Sequence, residues 1–335
     1  MNFKSVISSV ISRGAAALLL AAVAISCNTI YEDQSDCPRG VSLRFVYDYN
    51  MEFANSFHTQ AHCLNVYLFD KDGNYLDNWV ETSDVLKDEN WRMKRELGEG
   101  SYTLIAYAGL CCGESSFTAP QLKTRAASRR EEVSVSLNHK NFTSDASLHS
   151  LFYGMATLEV GKDDYVEETI YLKKDTNNIR FALQQMNGEQ ITADEFEVSI
   201  TDDNGLLAWD NEVQQNGVIT YLPWTKGDSI IGSQEDGETP VSVAYYELST
   251  SRLTTRTNPR LVVFSRERGE NIINIPLNTY LLLLKSELYA DMPAQEFLDR
   301  TSEWSLIFFL DSGNRWINTH IVVNDWVVRL NNAEL

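Results

Sequence analysis

The chain has 335 residues, a net charge of −19 at neutral pH, 43% hydrophobic residues and 22% charged residues. This length predicts about two domains, and the composition is ordinary for a globular protein. A body this acidic does not bind DNA or RNA by neutralising phosphates, and an anionic membrane surface repels it.

The first 26 residues have the pattern of a secretory signal. Lys4 and Arg13 precede an apolar run, residues 15–25, which is too short to span about 30 Å of hydrocarbon. Cys27 follows a small residue, as in a bacterial lipoprotein signal, so cleavage would leave lipidated Cys27 as the first residue. The alternatives are an ordinary secretion signal and an uncleaved anchor helix. Cleavage removes two positive charges and takes the net charge from −19 to −21, so lipid must supply any membrane attachment.

Four more cysteines, Cys37, Cys63, Cys111 and Cys112, lie in the first third of the mature chain. Export permits disulfides, and four cysteines allow three connectivities. A bridge between the adjacent Cys111 and Cys112 needs a strained ring. The expectation is that Cys37 bonds one of these two, with Cys63 left open, and four buried thiols are the alternative.

Strand patterns fill both halves of the chain after a polar tether, residues 27–40. Alternating apolar residues and turn signals predict strands in the first half at 41–49, 63–69, 75–80, 91–97, 101–108, 132–137 and 168–172. The polar cluster 173–178 marks the predicted boundary between domains 41–175 and 176–335. Short strands with regular turns favour β-sandwiches.

The second half repeats the pattern. Strands are predicted at 179–183, 196–200, 218–222, 241–246, 260–264, 271–275, 305–310 and 316–330. The apolar stretch 278–289 predicts a buried helix or strand, and 293–300, with proline near its start, predicts a surface helix. The sequence therefore predicts an all-β protein of two tandem sandwiches.

Residues that could carry catalysis or bind a metal are sparse. The chain contains no G-x-S-x-G, P-loop or H-E-x-x-H motif. His58 and His62 have a spacing that could share a metal beside Cys63, but strand alternation places His62 and Cys63 on opposite faces. We therefore predict no catalytic residue, no metal site and no cofactor.

Exposed aromatic residues suggest an alternative role in glycan binding. The chain has seven tryptophans and fifteen tyrosines, whose rings could stack on pyranose rings. Trp209, Trp224 and Trp316 lie near turn signals, where a sugar-binding platform could stand. Such residues also serve as sandwich core, and that is the competing interpretation.

Several segments, in this order, resemble the fimbrial anchor lipoproteins of Bacteroidales type V pili. They are Cys27 with its signal, Ile30–Asp33, Asp36–Gly40, Arg44–Asn50, Val66–Asp70, Tyr102–Gly109, Glu296–Arg300, Phe308–Asp311 and Ile321–Trp326. The resemblance spans nearly the whole mature chain. Two departures are Ala24, where the lipoprotein signal usually has leucine, and the adjacent pair Cys111 and Cys112.

This resemblance implies two transthyretin-like sandwiches and a structural role at the base of a fimbrium. Lipid would hold the protein in the outer membrane, surface-exposed, while a sheet pairs with a strand of a shaft subunit, with no small-molecule substrate. Shaft subunits of such pili lose an N-terminal segment by cleavage after a basic residue. Arg39 occupies that position here, and we predict that it stays intact because cleavage would remove the tether. The C-terminal strand, with Val322, Val323, Trp326 and Val328, is the predicted assembly edge.

Overall fold

The structure is a computed structural model. It describes residues 39–123, 127–162, 165–185, 187–233, 240–285, 287–323 and 326–331. The signal, most of the tether, Cys27 and Cys37 therefore lie outside the described residues.

The described part of the chain consists mainly of β-strands, and the predicted all-β sandwich class is confirmed. The first half contains β1 (Gly40–Val46), β2 (Leu64–Asp70), β3 (Tyr75–Glu81), β4 (Met93–Glu96), β5 (Gly100–Ala108), β6 (Phe117–Thr118), β7 (Ser134–Leu137), β8 (Thr143–Ser144), β9 (Phe152–Val160), β10 (Tyr165–Tyr171) and β11 (Lys173–Lys174). The second half contains β12 (Thr176–Gln185), β13 (Phe196–Asp202), β14 (Leu206–Ala208), β15 (Val213–Gln214), β16 (Ile219–Tyr221), β17 (Thr225–Ser233), β18 (Pro240–Ser251), β19 (Arg260–Ser265), β20 (Glu270–Pro276), β21 (Glu303–Leu310), β22 (Trp316–Val323) and β23 (Trp326–Asn331).

Helices are short and connect strands. The α-helices are α1 (Phe57–Gln60), α2 (Leu277–Leu282) and α3 (Ala294–Arg300), and single 3-10 turns lie at Asp84–Lys87, Arg130–Glu132, Ala193–Glu195 and Glu287–Tyr289. The stretch 278–289, predicted as a buried helix or strand, contains helix α2 and a 3-10 turn, and the predicted surface helix is α3. Within the described ranges, no helix has the length and hydrophobicity needed to cross a membrane.

The strands form five sheets. Their orders are β10-β1-β4, β11-β9-β5-β2-β3, β17-β18-β12-β21-β22-β23, β20-β19-β13-β16-β8 and β15-β14-β7-β6. Strand β12, in the middle of the six-stranded sheet, begins directly after the predicted domain boundary at residue 175. However, β7 pairs with β14 and with β6, and β8 pairs with β16, so three strands of the first half belong to sheets that contain strands of the second. The division into two separate domains stays a prediction.

The sheet around β5 is buried on both faces, which explains the near-continuous apolar runs of β2 and β5. Val66 and Leu104 point towards β1 and its neighbours in one hydrophobic cluster. Tyr67 and Ile105, one residue further along, belong to a larger cluster that also contains residues of the second half, such as Phe181. Because side chains alternate along a strand, this one sheet joins the two cores.

A disulfide joins the ends of β2 and β5. Cys63 precedes β2, Cys112 follows β5, and their Cα atoms lie 5.3 Å apart because Leu64 pairs with Ala108. We expected Cys37 to bond either Cys111 or Cys112. Because Cys112 is bonded to Cys63, the bond from Cys37 to Cys112 is wrong. Cys111 is half-buried and has no disulfide partner among the described residues, and burial raises the pKa of its thiol. Cys37 lies outside the described residues, so a bond from Cys37 to Cys111 stays a prediction.

A buried ion cluster joins Asp175, which follows β11, Arg252, which follows β18, and Asp299 on α3. Arg252 donates from Nε and Nη2 to the two carboxylate oxygens of Asp299, both at 2.9 Å, and from Nη1 to the carbonyl of Asn211. Asp175, which is fully buried, lies 3.8 Å from Arg252 Nε and accepts from Asn211 Nδ2 at 2.8 Å. Burial raises the pKa of Asp175 to about 7, although Arg252 opposes the shift.

Candidate assembly edge and anchoring segment

The N-terminal strand β1 fills the middle of its sheet. It pairs in parallel with β10 over seven residues and antiparallel with β4 over four. Val41 and Leu43 are fully buried. A Cβ atom on Gly40 would lie 2.0 Å from the carbonyl oxygen of Arg95, so only glycine allows this close approach of β1 and β4. The strand that directly follows the tether is therefore part of a hydrophobic core.

Arg39 is held by the backbone of the neighbouring chain segment. Its carbonyl oxygen accepts a hydrogen bond from the Leu97 N–H at 3.2 Å, next to the first pair of β1 and β4. A protease needs an extended, unpaired substrate segment, so cleavage after Arg39 requires local opening. These contacts support the expectation that Arg39 stays intact.

We predict that an arginine-specific protease leaves the bond after Arg39 uncut in the folded protein. Intact-mass analysis of the mature chain after digestion checks this result. The same protease acting on protein unfolded in urea is the positive control and should cut there. A fragment beginning at Gly40, obtained from folded protein at the same rate, would contradict the prediction.

The C-terminal strands form one end of the six-stranded sheet. β21 pairs in parallel with β12 and antiparallel with β22, and β22 pairs with β23 over six residues. The opposite side of β23 has no partner strand within the described ranges. This strand therefore presents an open backbone edge.

The predicted edge residues divide between two strands. Val322 and Val323 lie on β22, which is paired on both sides, and Trp326 and Val328 lie on β23, at the edge. The single strand predicted over 316–330 is therefore wrong, since the chain reverses between Val323 and Trp326. The sequence contains the signal, because Asn-Asp separates two apolar runs there.

The tryptophans of the predicted sugar platform have three different surroundings. Trp209 stacks under the Arg130 guanidinium at 4.3 Å and its carbonyl accepts from the Tyr153 hydroxyl at 2.9 Å. Trp316 is half-buried and packs 5.6 Å from the Phe308 ring. Trp224 is 40% exposed and lines a cleft of about 490 Å³. Only Trp224 has the exposure that the platform requires.

The histidine and cysteine candidates do not converge on a metal. His58 Nε2 lies 3.1 Å from Glu89, His62 is exposed, and Cys63 is in the disulfide. No group of three or more His, Cys, Asp or Glu residues in the described ranges has the arrangement of a metal site.

A polar cavity of about 340 Å³ lies where the end of β1 meets the start of β21. Its walls come from residues 47–60 and from Lys174 with residues 300–303. Burial raises the pKa of Tyr47 in this wall to about 12, against the effect of a hydrogen bond with Ser302. Burial also lowers the pKa of Lys174, which Glu303 partly offsets. No sequence pattern predicts this cavity, since its two walls are about 250 positions apart in the chain.

Comparisons with known proteins identify relatives along the whole described chain. A family model described as fimbrillin-A associated anchor proteins Mfa1 and Mfa2 matches residues 34–332. The minor fimbrium anchoring subunit Mfa2 of Porphyromonas gingivalis is 23% identical over 214 residues. That match covers 61% of this chain and 64%, less than two thirds, of the curated relative.

Solved structures have the same architecture. A candidate adhesin from Bacteroides thetaiotaomicron is 47% identical, with a TM-score of 0.82 over 89% of this chain and 100% of its own. A candidate polysaccharide-binding protein from the same species is 31% identical, with a TM-score of 0.76 over 90% of this chain and 100% of its own. The fimbrial anchor protein Mfa2 of P. gingivalis is 18% identical, with a TM-score of 0.64 over 88% of this chain and 99% of its own, and shares the fold.

Proposed function

Because the chain belongs to the family of fimbrillin-A associated anchor proteins, we propose that it is the base subunit of a type V fimbrium. In this role Cys27 carries the lipid that holds the protein in the outer membrane, at the cell surface. The fold then attaches the shaft by pairing a β-strand with a shaft subunit. The role needs no catalysis, cofactor or small-molecule substrate.

The open edge of β23 carries this proposal. An edge strand presents a row of unpaired N–H and C=O groups that can pair with a strand of another chain. β23 pairs with β22 through one side only, so alternate backbone groups of its six residues face outward. A strand of a shaft subunit added there would satisfy those groups and extend the sheet.

The filled position of β1 supports pairing at β23 over insertion of a foreign strand beside β10. A groove there would open only if β1 left, and β1 is buried and bonded on both sides. Cleavage that freed β1 would also cut the connection to Cys27. The base subunit thus keeps its own first strand and offers its last one.

Replacing Cys27 by alanine tests the lipid attachment. We expect the fimbriae and this protein to appear together in the culture medium, since in the proposed role both are attached to the membrane through the lipid on Cys27. Quantifying both in cell and medium fractions measures the effect, and Cys37→Ala is the matched control that should leave fimbriae on cells. Fimbriae that stay on Cys27→Ala cells would refute anchoring by this residue.

Truncation of the chain after Val323, which removes β23, tests whether this strand attaches the shaft. We expect the shortened protein to stay in the outer membrane fraction while fimbriae are released, because lipidation remains and the β23 edge is lost. The two variants thus separate membrane attachment from shaft attachment. Normal fimbriae on cells with the truncated protein would show that pairing does not use β23, and thermal unfolding of the purified variant confirms that it folds.

A further inference from the structure

We propose that Asn216 is a site of spontaneous deamidation, which the carboxylate of Asp203 promotes. The modification converts the side-chain amide of Asn216 to a carboxylate. Asn216 is exposed in the turn between β15 and β16, and Gly217 follows it. An asparagine before a glycine is prone to this reaction, because glycine has no side chain that would obstruct a close approach of its nitrogen. The inference goes beyond the anchoring role and does not depend on it.

Asp203 contacts the nitrogen atom that must react. Its Oδ1 accepts hydrogen bonds from the N–H of Gly217 at 3.0 Å and from the N–H of Asn216 at 2.9 Å. In deamidation the Gly217 nitrogen attacks Cγ of Asn216, and it reacts only when it gives up its proton. A carboxylate within hydrogen-bond reach of that proton can act as the general base. Asp203 therefore has the position of a catalytic residue for this reaction.

The reaction needs water as its only co-reactant. The bond between the Gly217 nitrogen and Asn216 Cγ forms while the Gly217 proton passes to Asp203 Oδ1. The bond between Cγ and Nδ2 then breaks, and ammonia leaves with the proton that Asp203 held, so a succinimide ring closes. Water opens either carbonyl of this ring and yields an aspartyl or an isoaspartyl residue. Each product carries a new negative charge beside Asp203.

The fold requires Gly217 but not the amide of Asn216. Gly217 has a φ of 107°, and a Cβ atom there would collide with the Phe142 ring. The side chain of Asn216 is exposed and forms no hydrogen bond with the residues that the structure describes. Packing therefore fixes the glycine that makes the reaction possible, whereas Cγ of Asn216 is free to rotate towards the Gly217 nitrogen.

Two other Asn-Gly pairs lack this arrangement. Asn204 is fully buried, its Nδ2 donates to two main-chain carbonyls, and its Oδ1 accepts from the Tyr221 hydroxyl. Asn187 is exposed, but its Oδ1 accepts the N–H of Glu189 at 2.9 Å. No carboxylate in the described ranges accepts the N–H of Gly188. We therefore expect Asn216 to react much faster than either of these residues.

Peptide mapping of the folded mature chain tests the proposal. After incubation at neutral pH and digestion, mass spectrometry quantifies the amide, aspartyl and isoaspartyl forms of each Asn-Gly peptide. We expect modification at Asn216 and about a hundredfold slower reaction in Asp203→Asn, the low end of what a general base contributes. The amide oxygen of this variant still accepts both N–H groups but cannot take up the proton.

Glu212→Gln is the matched control, because it removes a carboxylate of the same loop that pairs with Arg256. This variant should react at the unmodified rate. Protein unfolded in urea supplies a measurement that needs no variant, so it decides the question even if Asp203→Asn does not fold. In urea we expect the three Asn-Gly sites to react at similar rates, since Asp203 no longer contacts Gly217.

Three outcomes would overturn the proposal. The first is an intact amide at Asn216 in folded protein after a period in which the urea sample reacts. The second is an equal or faster rate in Asp203→Asn, which would show that the hydrogen bond protects the site. The third is equal modification of Asn187 and Asn216 in folded protein, which would show that the fold does not select the site.

Discussion

Replacing Arg252 by methionine is expected to lower the free energy of unfolding by about 3–5 kcal/mol, because two carboxylates then lose their partner inside the fold. Arg252 makes a bidentate contact with Asp299, and Asp175 lies beside it with Oδ2 lacking a partner in the described ranges. Methionine fills much of the volume but supplies no donor. Denaturant unfolding monitored by tryptophan fluorescence measures the change.

Arg256→Met is the matched control. This arginine lies four positions away and pairs with Glu212 on the surface, where it is 72% exposed. An exposed ion pair contributes roughly 0–1 kcal/mol, so the control should change little. Equal changes in the free energy of unfolding for the two substitutions would show that the buried cluster stabilises the fold no more than a surface ion pair does.

The pH dependence of the unfolding free energy of Arg252→Met shows whether the loss of stability comes from unpaired charge or from lost packing. The folded-state pKa of Asp175 is already raised, to about 7, and loss of Arg252 raises it further. A carboxyl whose pKa is higher in the folded state favours folding at low pH, and that contribution is lost as pH rises through the folded-state pKa. The deficit of the variant should therefore be smaller at pH 5 than at pH 8. A deficit independent of pH would indicate lost packing instead.

Replacing both Cys63 and Cys112 by serine is expected to cost about 4 kcal/mol, since the bond closes a loop with a sequence separation of 49. The bond fixes the end of β2 against the segment after β5. Replacing Cys112 alone is not sufficient, because the adjacent Cys111 could then bond Cys63. Denaturant unfolding without reductant measures the effect.

Cys111→Ser is the control for the disulfide. Cys111 has no disulfide partner among the residues that the structure describes, so the substitution should leave the denaturant midpoint of unfolding nearly unchanged. Reduction of the unmodified protein should lower its stability to that of the double variant. If the double variant unfolds at the same denaturant concentration as the unmodified protein, the disulfide does not stabilise the fold.

Alternating apolar residues were sufficient to predict most strands, because the period of two is local. Two long strands, β9 and β17, had no such prediction. β9 contains Gly154, where a Cβ atom would lie 2.6 Å from the Tyr171 carbonyl oxygen, so close packing against β10 requires a residue that weakens the strand pattern. β17 carries Gly227 and polar residues at the sheet edge.

Contacts between distant segments could not be predicted in this way. Cys63 and Cys112 meet because β2 and β5 are neighbours in the sheet, although two strands separate them in sequence. The cavity depends on Arg300 reaching the carbonyl of Asp48, 252 positions earlier. Strand structure was predicted for the C-terminal region, but the β22–β23 hairpin was missed because the apolar pattern continues on both sides of the turn.

The parallel pairing of β1 has a mechanical consequence under the proposed anchoring. When flow pulls a fimbrium outward, the load passes through the tether and enters the fold at Gly40, directed back along the axis of β1. The hydrogen bonds to β10 and β4 lie across this direction, so they are loaded in shear and must break together, not one at a time as in unzipping. Resistance to forced unfolding is governed by the unfolding rate. Loading these hydrogen bonds in shear makes the detachment of β1 slow under tension.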